Sequence, residues 1–254
     1  MRPKSRLLGP NLVRLPEPSV RRGEVALTFD DGPDPRITPR LLDLLDHHGA
    51  KASFFCIGEK AAAHPAIVRD ILRRGHSVEN HSHRHPYAFA CYGLRALRRE
   101  IEAAQRTIED IAGRPPRFFR APVGLRSPLL DPVLARLGLD YAGWARRGYD
   151  TICDDPARVL QRLARGLAAG DVLVLHDGSS ARTAAGQPVV LAVLPALLRE
   201  FGARGLKAVS LPIALEHRFE RHGREESSRI QDVDIDTNRS HSSPVPVLAT
   251  LRHR

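Results

Sequence analysis

Two adjacent carboxylates end an apolar run, Val25-Ala26-Leu27-Thr28-Phe29-Asp30-Asp31, and Gly32-Pro33 follow at once. The run has the β-branched and aromatic character of a buried strand, and the Gly-Pro pair stops it. Successive side chains alternate across a strand, so two neighbouring carboxylates can serve two tasks from one place. Like charges this close are costly unless a cation or a shared proton relieves them. Taken alone, the motif reads equally as an Asp-Asp-Gly-Pro turn. A home for the cation lies downstream, in the histidine-rich stretch from Gly75 to Pro86. His81 and His85 are four apart, the spacing that sets two imidazoles on one face of a helical turn. Two imidazoles and a carboxylate form a three-ligand set for a catalytic divalent metal, with positions left for water and substrate. Spacing alone leaves His76 and His83 as alternatives, and a solvated histidine-rich loop as the plain reading.

Three more polar clusters follow strand-like runs. Phe118-Phe119 lead into Arg120-Ala121-Pro122-Val123, where an arginine aimed into a pocket can hold an aspartate charged and oriented. Trp144 opens a segment that ends on Asp150-Thr151, and Val172-Leu173-Val174-Leu175 ends on His176. A lone histidine after a strand is commonly a structural hydrogen-bonding residue. Five polar strand ends in one chain point instead to a shared site.

In order and content these motifs resemble the polysaccharide deacetylases of carbohydrate esterase family 4, the NodB-homology group. Thr28–Pro33, His81–Pro86, Arg120–Pro122, Trp144–Asp150 and Val174–His176 fall in the family's order across roughly residues 23–215. The resemblance implies that Asp30 is the general base and that Asp31, His81 and His85 bind the metal. It implies that Arg120 holds Asp30, and that His176 is the general acid with Asp150 raising its pKa. It places an oxyanion-binding backbone N–H at Val123, and it puts Val174 and the position of Thr151 in the pocket for the acetyl methyl group. Four positions depart from the pattern. Val123 replaces an aromatic residue, Val174 a leucine, Thr151 a tryptophan, and Arg147 an acidic residue common in the fourth motif. These changes leave the metal set intact and bear on acyl preference and substrate fit.

The elements that must position these residues alternate between strand and helix. After the first strand, helices are predicted over 38–48, 65–74, 94–112, 128–137, 156–168 and 189–201. Strands are predicted over 52–57, 140–144, 172–176 and 208–211. In the long helix Leu94, Leu97, Ile101, Ala104, Ile108 and Ile111 recur near the 3.6-residue period. The alternation argues for a βα barrel with its site at the strand C-termini. The domain is short for eight repeats, so an α/β fold forming a distorted barrel of about seven strands, as the resemblance implies, is expected.

The 254 residues, 42% of them hydrophobic, suffice for one sizeable core. Three regions are expected: a basic N-terminal arm over 1–22, the catalytic domain over 23–215, and a polar, disordered tail over 216–254. Acidic and basic residues cancel in the tail, so the net charge of +10 belongs to the rest of the chain. Such a surface suits anionic polymers or a peripheral approach to anionic lipid. No helix-turn-helix, zinc finger or aromatic RNA platform accompanies the charge, which argues against a nucleic-acid partner. Cys56, Cys91 and Cys153 are scattered and odd in number, so no disulfide framework is expected. The N-terminus lacks the apolar stretch of a secretory signal, and no run of about 20 apolar residues spans a membrane. A soluble, cytoplasmic protein is expected from these features, with a mis-assigned start codon as the alternative.

The functional expectation is a metal-dependent N-deacetylase acting on an N-acetylated sugar, polysaccharide or lipid-linked glycan. The donor set leans towards zinc, with cobalt as the alternative. Two other classes compete: a hydrolase of the same fold acting on a non-sugar amide or an O-acetyl ester, and a non-catalytic carbohydrate-binding protein. Oligomeric state and the particular glycan are not legible in the sequence.

Overall fold

A computed structural model of the protein describes residues 8–216. Nearly all of the predicted tail, residues 217–254, lies outside the described residues. The elements run α1 (Glu17–Arg21), β1 (Glu24–Gly32), α2 (Thr38–His47), β2 (Ser53–Cys56), α3 (Gly58–Ala63), α4 (Pro65–Arg73), β3 (Ser77–Asn80), α5 (Leu94–Ala112), β4 (Phe118–Phe119), α6 (Leu130–Leu137), β5 (Asp140–Tyr141), β6 (Arg146–Arg147), α7 (Pro156–Ala164), β7 (Val172–His176), α8 (Val189–Ala203) and β8 (Lys207–Val209). The strands pair in the order β5-β4-β3-β2-β1-β7-β6, and β8 pairs with the start of β1. Every ladder is parallel. The result is the expected distorted barrel, a curled sheet with seven strands along its path, the short β8 beside β1, and helices between. Among the described residues no ladder joins the two end strands, β5 and β6.

Period-two alternation explains what each strand presents to each side. On β1, Val25, Leu27 and Phe29 belong to the large apolar cluster that takes in α2, α4, α7 and α8. Phe29 stacks on Phe54 of β2 with ring centroids 5.1 Å apart. The intervening residues, Ala26, Thr28 and Asp30, face the barrel interior. The same rule holds on β7, where Leu173 and Leu175 join the outer cluster and Val172 packs inside. Around β4, Phe119 packs outward with Leu97, Ile101, Leu130 and Leu134, while Phe118 packs inward. The narrow end of the interior is filled by Ala26, Phe55, Phe118, Ala142 and Val172, with Leu15, Leu211 and Ala214 closing it. Polar inward residues therefore collect at the opposite end, where the strands terminate.

Most predicted elements are present, with their ends trimmed. The 94–112 helix has the predicted bounds and buries Leu97, Ile101, Ala104 and Ile108, and Gly113 ends it with φ of 71°. Leu94, in the first turn, stays exposed. Helix α3 was not legible, since six residues are too few for a periodic stripe to show. Within the stretch read as a basic arm, residues 17–21 are helical, Leu15 is buried, and Leu12 pairs with Ala142. The three cysteines are free. Among the described residues no helix is long and apolar enough to cross a membrane.

One side chain ties the interior together. Arg120, directly after β4, is fully buried. Its Nη1 donates to Asp30 Oδ1 at 2.5 Å and to Thr28 Oγ1 at 2.8 Å, both on β1. Its Nε and Nη2 donate to the carbonyls of Ala142 and Gly143, at 3.1 and 3.0 Å, in the segment that links β5 to β6. Arg120→Met should strand the Asp30 carboxylate in the interior, and removing one partner of a buried pair costs about 3–5 kcal/mol. Urea unfolding of Arg120→Met, of Asp30→Asn and of the double variant checks this. The double variant should lose less than the sum of the two single losses.

Candidate active site

The inward polar residues meet in an open cavity of about 520 Å³ at the C-terminal ends of the strands. Asp30, Asp31, His81, His85, Val123, Trp144, Thr151, Val174 and His176 all line it. Arg120 and Asp150 stand behind the wall, fully buried and bonded to Asp30 and His176 respectively. All eleven residues singled out in the sequence are thus brought to one place. Asp30 and His176 are register partners on the neighbouring strands β1 and β7.

Strict alternation would turn Asp31 away from Asp30, towards the helices. The β1–β2 register shifts between Asp30 and Gly32, and Asp31 takes φ of 71°. This bulge re-aims the second carboxylate, so that both face the cavity. Asp31 Oδ1 lies 3.2 Å from His81 Nε2 and 3.2 Å from His85 Nε2. These three donor atoms form a group that could hold a metal ion. His81 Nδ1 is 2.8 Å from the carbonyl of Arg120, which can only accept, so Nδ1 carries the proton and Nε2 keeps its lone pair for a ligand. Burial opposes charge on Asp31, yet the hydrogen bond and charge of His81, with His176 and His85 behind it, hold its carboxyl well below the usual range. Burial, followed by the charge of His81, lowers the pKa of His85 and favours the neutral ring that a metal requires.

The helical turn expected for His81 and His85 is not present. Residues 81–88 form no helix, and the two rings converge because Ser82 and His85 take φ of 64° and 53°. Asn80 fixes the start of this loop: its side chain donates to Ile101 O and Gln105 Oε1 on α5, and its Oδ1 accepts from Ser82 N. His85 N in turn donates to Ser82 Oγ at 3.1 Å. The alternative histidines are accounted for elsewhere. His76 Nδ1 accepts from Ala52 N, and its ring packs edge-on against Phe54. His83 turns beneath Gly58 and stands outside the ligand group.

His176 is held by Asp150 through two bonds. Its Nδ1 meets Asp150 Oδ1 at 2.9 Å, and its backbone N–H donates to Oδ2 at 2.8 Å. Burial pulls the imidazole pKa down, but the hydrogen bond and charge of Asp150, joined by Asp30 and Asp31, raise it overall. With Nδ1 engaged, Nε2 is the atom left for the cavity.

Several contributors were not found in the sequence. Ser179 Oγ donates to Asp31 Oδ2, and Lys60 Nζ donates to the Asp31 carbonyl at 2.7 Å. Ser179 directly follows the Asp177-Gly178 turn of the last motif, which was its only local signal; Lys60 sits on the unpredicted α3. Gly178 approaches so closely that an added Cβ would lie 1.8 Å from the Asp31 carbonyl oxygen, so this turn and the β1 bulge fit only with glycine. Tyr87 and Ile152, 85% and 81% exposed, form an apolar rim on the cavity. Five non-glycine residues have positive φ among the described residues: Asp31, Ser82, His85, Val123 and Tyr149. All lie in or beside the cavity wall, the clustering expected where surrounding structure holds a site in strained geometry.

Comparison with known proteins agrees with this geometry. A family model described as polysaccharide deacetylase matches residues 18–142. A chitooligosaccharide deacetylase of Azorhizobium caulinodans is 32% identical over 198 residues, covering 75% of this chain and 94% of that protein. A peptidoglycan-N-acetylglucosamine deacetylase of Bacillus cereus is 29% identical over 203 residues, covering 76% of this chain and 89% of that protein. Among solved structures, a family 4 carbohydrate esterase from Streptomyces lividans in complex with acetate superimposes with a TM-score of 0.66, at 32% identity over 73% of this chain and 91% of that one. Fold, ordered motifs and sequence similarity agree, and the chain belongs to the polysaccharide deacetylases of carbohydrate esterase family 4.

Proposed function

We propose that the protein is a metal-dependent hydrolase that removes N-acetyl groups from an N-acetylated glycan or glycolipid. The observation that carries this reading is the pairing of two positioned groups around the ligand set. Asp30 is fixed by Arg120, His176 is fixed by Asp150, and both face the cavity beside Asp31, His81 and His85. The three donors suit a divalent cation, with zinc favoured and cobalt next, because two imidazoles and one carboxylate are softer than a magnesium site. When bound, such a cation supplies Lewis acidity towards an amide carbonyl and a water molecule.

The chain's own residues do the proton work. Asp30, with one oxygen committed to Arg120, accepts a proton from the attacking water through the other. The carbonyl oxygen gains negative charge, and the backbone N–H of Val123, on the cavity wall, is the donor assigned to it. His176 delivers its proton from Nε2 to the departing amine while Asp150 keeps the ring charged and oriented. Val174, Thr151 and Trp144 line the space for the acyl group. The products are acetate and a free amino sugar.

Thr151 and Val174 also support the second reading, a non-sugar amide or an O-acetyl ester, since they alter the wall where the acyl group would sit. Acetate and free-amine release from N-acetylated oligosaccharides, with and without chelator, separates these readings. Carbohydrate binding without turnover would point to the non-catalytic alternative.

Three measurements test the residue roles. His81→Ala should lose bound divalent metal and nearly all turnover while remaining folded, whereas His83→Ala should keep both; metal analysis of the purified variants decides. Asp30→Asn removes the proton acceptor but preserves shape, so metal should still bind while the rate falls by about 10²-fold or more. The pH–rate profile should be bell-shaped, with His176 setting its basic limb. Because Asp150 raises the His176 pKa, Asp150→Asn should move that limb to lower pH, and His176→Ala should abolish it and leave a slow residual rate. A basic limb unmoved by either substitution would make His176 structural.

A further inference from the structure

Two consecutive arginines on β6 meet opposite fates. Arg146 pairs with Leu173 in register and faces outward, where it is engaged by Asp171 and by the carbonyls of Arg165 and Gly166. Arg147 pairs with Val174, faces inward, and lines the cavity. Among the described residues no carboxylate forms an ion pair with it, and its Nε is buried without a hydrogen-bond partner. Its guanidinium lies between two rings, 5.5 Å from the centroid of Trp144 and 5.2 Å from that of Tyr149. Tyr149 is steadied from elsewhere, since Arg162 lies 5.6 Å from its ring and donates to the neighbouring Gly148 carbonyl.

The anions of the cavity are already matched. Asp30 is taken by Arg120, and Asp31 by His81, His85 and Ser179. Arg147 therefore presents positive charge to the cavity with no carboxylate paired to it among the described residues. A guanidinium held between aromatic faces keeps its plane, and its forked N–H groups match the two oxygens of a carboxylate or phosphate. Desolvating part of an unpaired cation is unfavourable, and an anionic ligand recovers that loss.

We infer that Arg147 selects the substrate by binding an anionic substituent, carboxylate or phosphate, on or next to the N-acylated sugar. The inference rests on the deacetylase reading for what the cavity accepts, and it narrows that substrate to an acidic glycan or a sugar phosphate. A neutral chitin-like polymer would leave the guanidinium unmatched. Arg147 is a specificity residue, since the hydrolysis itself uses Asp30 and His176.

Three small ligands test it: methyl N-acetylglucosaminide, N-acetylmuramic acid and N-acetylglucosamine 1-phosphate. Calorimetric binding to the full-length Asp30→Asn protein supplied with zinc should favour at least one anionic ligand over the neutral one by about tenfold or more. Whether the muramic acid or the phosphate gains identifies the carboxylate or the phosphate as the recognised group. Adding Arg147→Gln should remove most of the preference, while Arg147→Lys, which keeps the charge but not the fork, should retain part of it. Thermal melts of both variants establish that the domain is folded. Equal binding of neutral and anionic ligands, or an anion preference that survives Arg147→Gln in a folded protein, would overturn the inference. Acetate release by the wild-type protein separates the two proposals. Turnover without an Arg147-dependent preference leaves the deacetylase reading standing and removes this one. Arg147-dependent anion binding without turnover of any acetylated substrate does the reverse.

Discussion

The buried contact between Arg120 and Asp30 is the constraint around which the rest is arranged. A guanidinium with no exposed surface must find acceptors for its donors, and here they come from two separate places in the fold. Thr28 and Asp30 supply two from β1, and Ala142 and Gly143 supply two from the segment between β5 and β6. The guanidinium also lies 4.0 Å from the centroid of Phe55 on β2, which covers its face. One cation thus holds the sheet's centre to its open seam, where no ladder does so. It also occupies one oxygen of Asp30 and so fixes which way the other points. Its own backbone carbonyl accepts from His81 Nδ1, so the same residue sets the orientation of a proposed metal ligand.

The site divides its positioning between rigid strands and strained loops. Asp30, Val174 and His176 project from strands whose outward residues are locked in the main apolar cluster. Asp31, His85 and Val123 instead owe their directions to positive φ values that their side chains disfavour. Such conformations persist only when neighbours enforce them. Asn80 anchors the histidine loop to α5, Lys60 holds the Asp31 carbonyl, and the close pass of Gly178 fits the bulge. Strands set Asp30 and His176, and loops set the candidate ligand group.

Charge is arranged with the same economy. Asp30 and His176, the two groups proposed to move protons, each have a buried partner of opposite character: an arginine for the carboxylate and an aspartate for the imidazole. The aspartate beside His176 raises the pKa of its imidazole. Arg147 is a charged group on the wall with no paired carboxylate among the described residues, and its place against two rings gives it a defined direction rather than solvent-averaged freedom.

The sequence by itself determined the strands other than β3 and β6, the alternation along them, the long amphipathic helix, and the identity of the groups that gather at the strand ends. These are local properties: alternation and helical period depend only on neighbouring residues and on which of them water excludes. The ordered motifs added the roles, because the family resemblance carried the pairing of Arg120 with Asp30 and of Asp150 with His176. Spacing could not choose among the histidines, and the helical turn it suggested for His81 and His85 does not exist. Their convergence, the turn of Asp31 into the cavity, and the arrival of Ser179 and Lys60 were decided only in the tertiary structure. Arg120 and Asp30 are 90 residues apart in the chain, and Ser179 and Asp31 are 148 apart. No local preference encodes contacts over such separations. The left-handed residues that aim the ligands run against local preference, and only the packed barrel around them makes those conformations the stable ones.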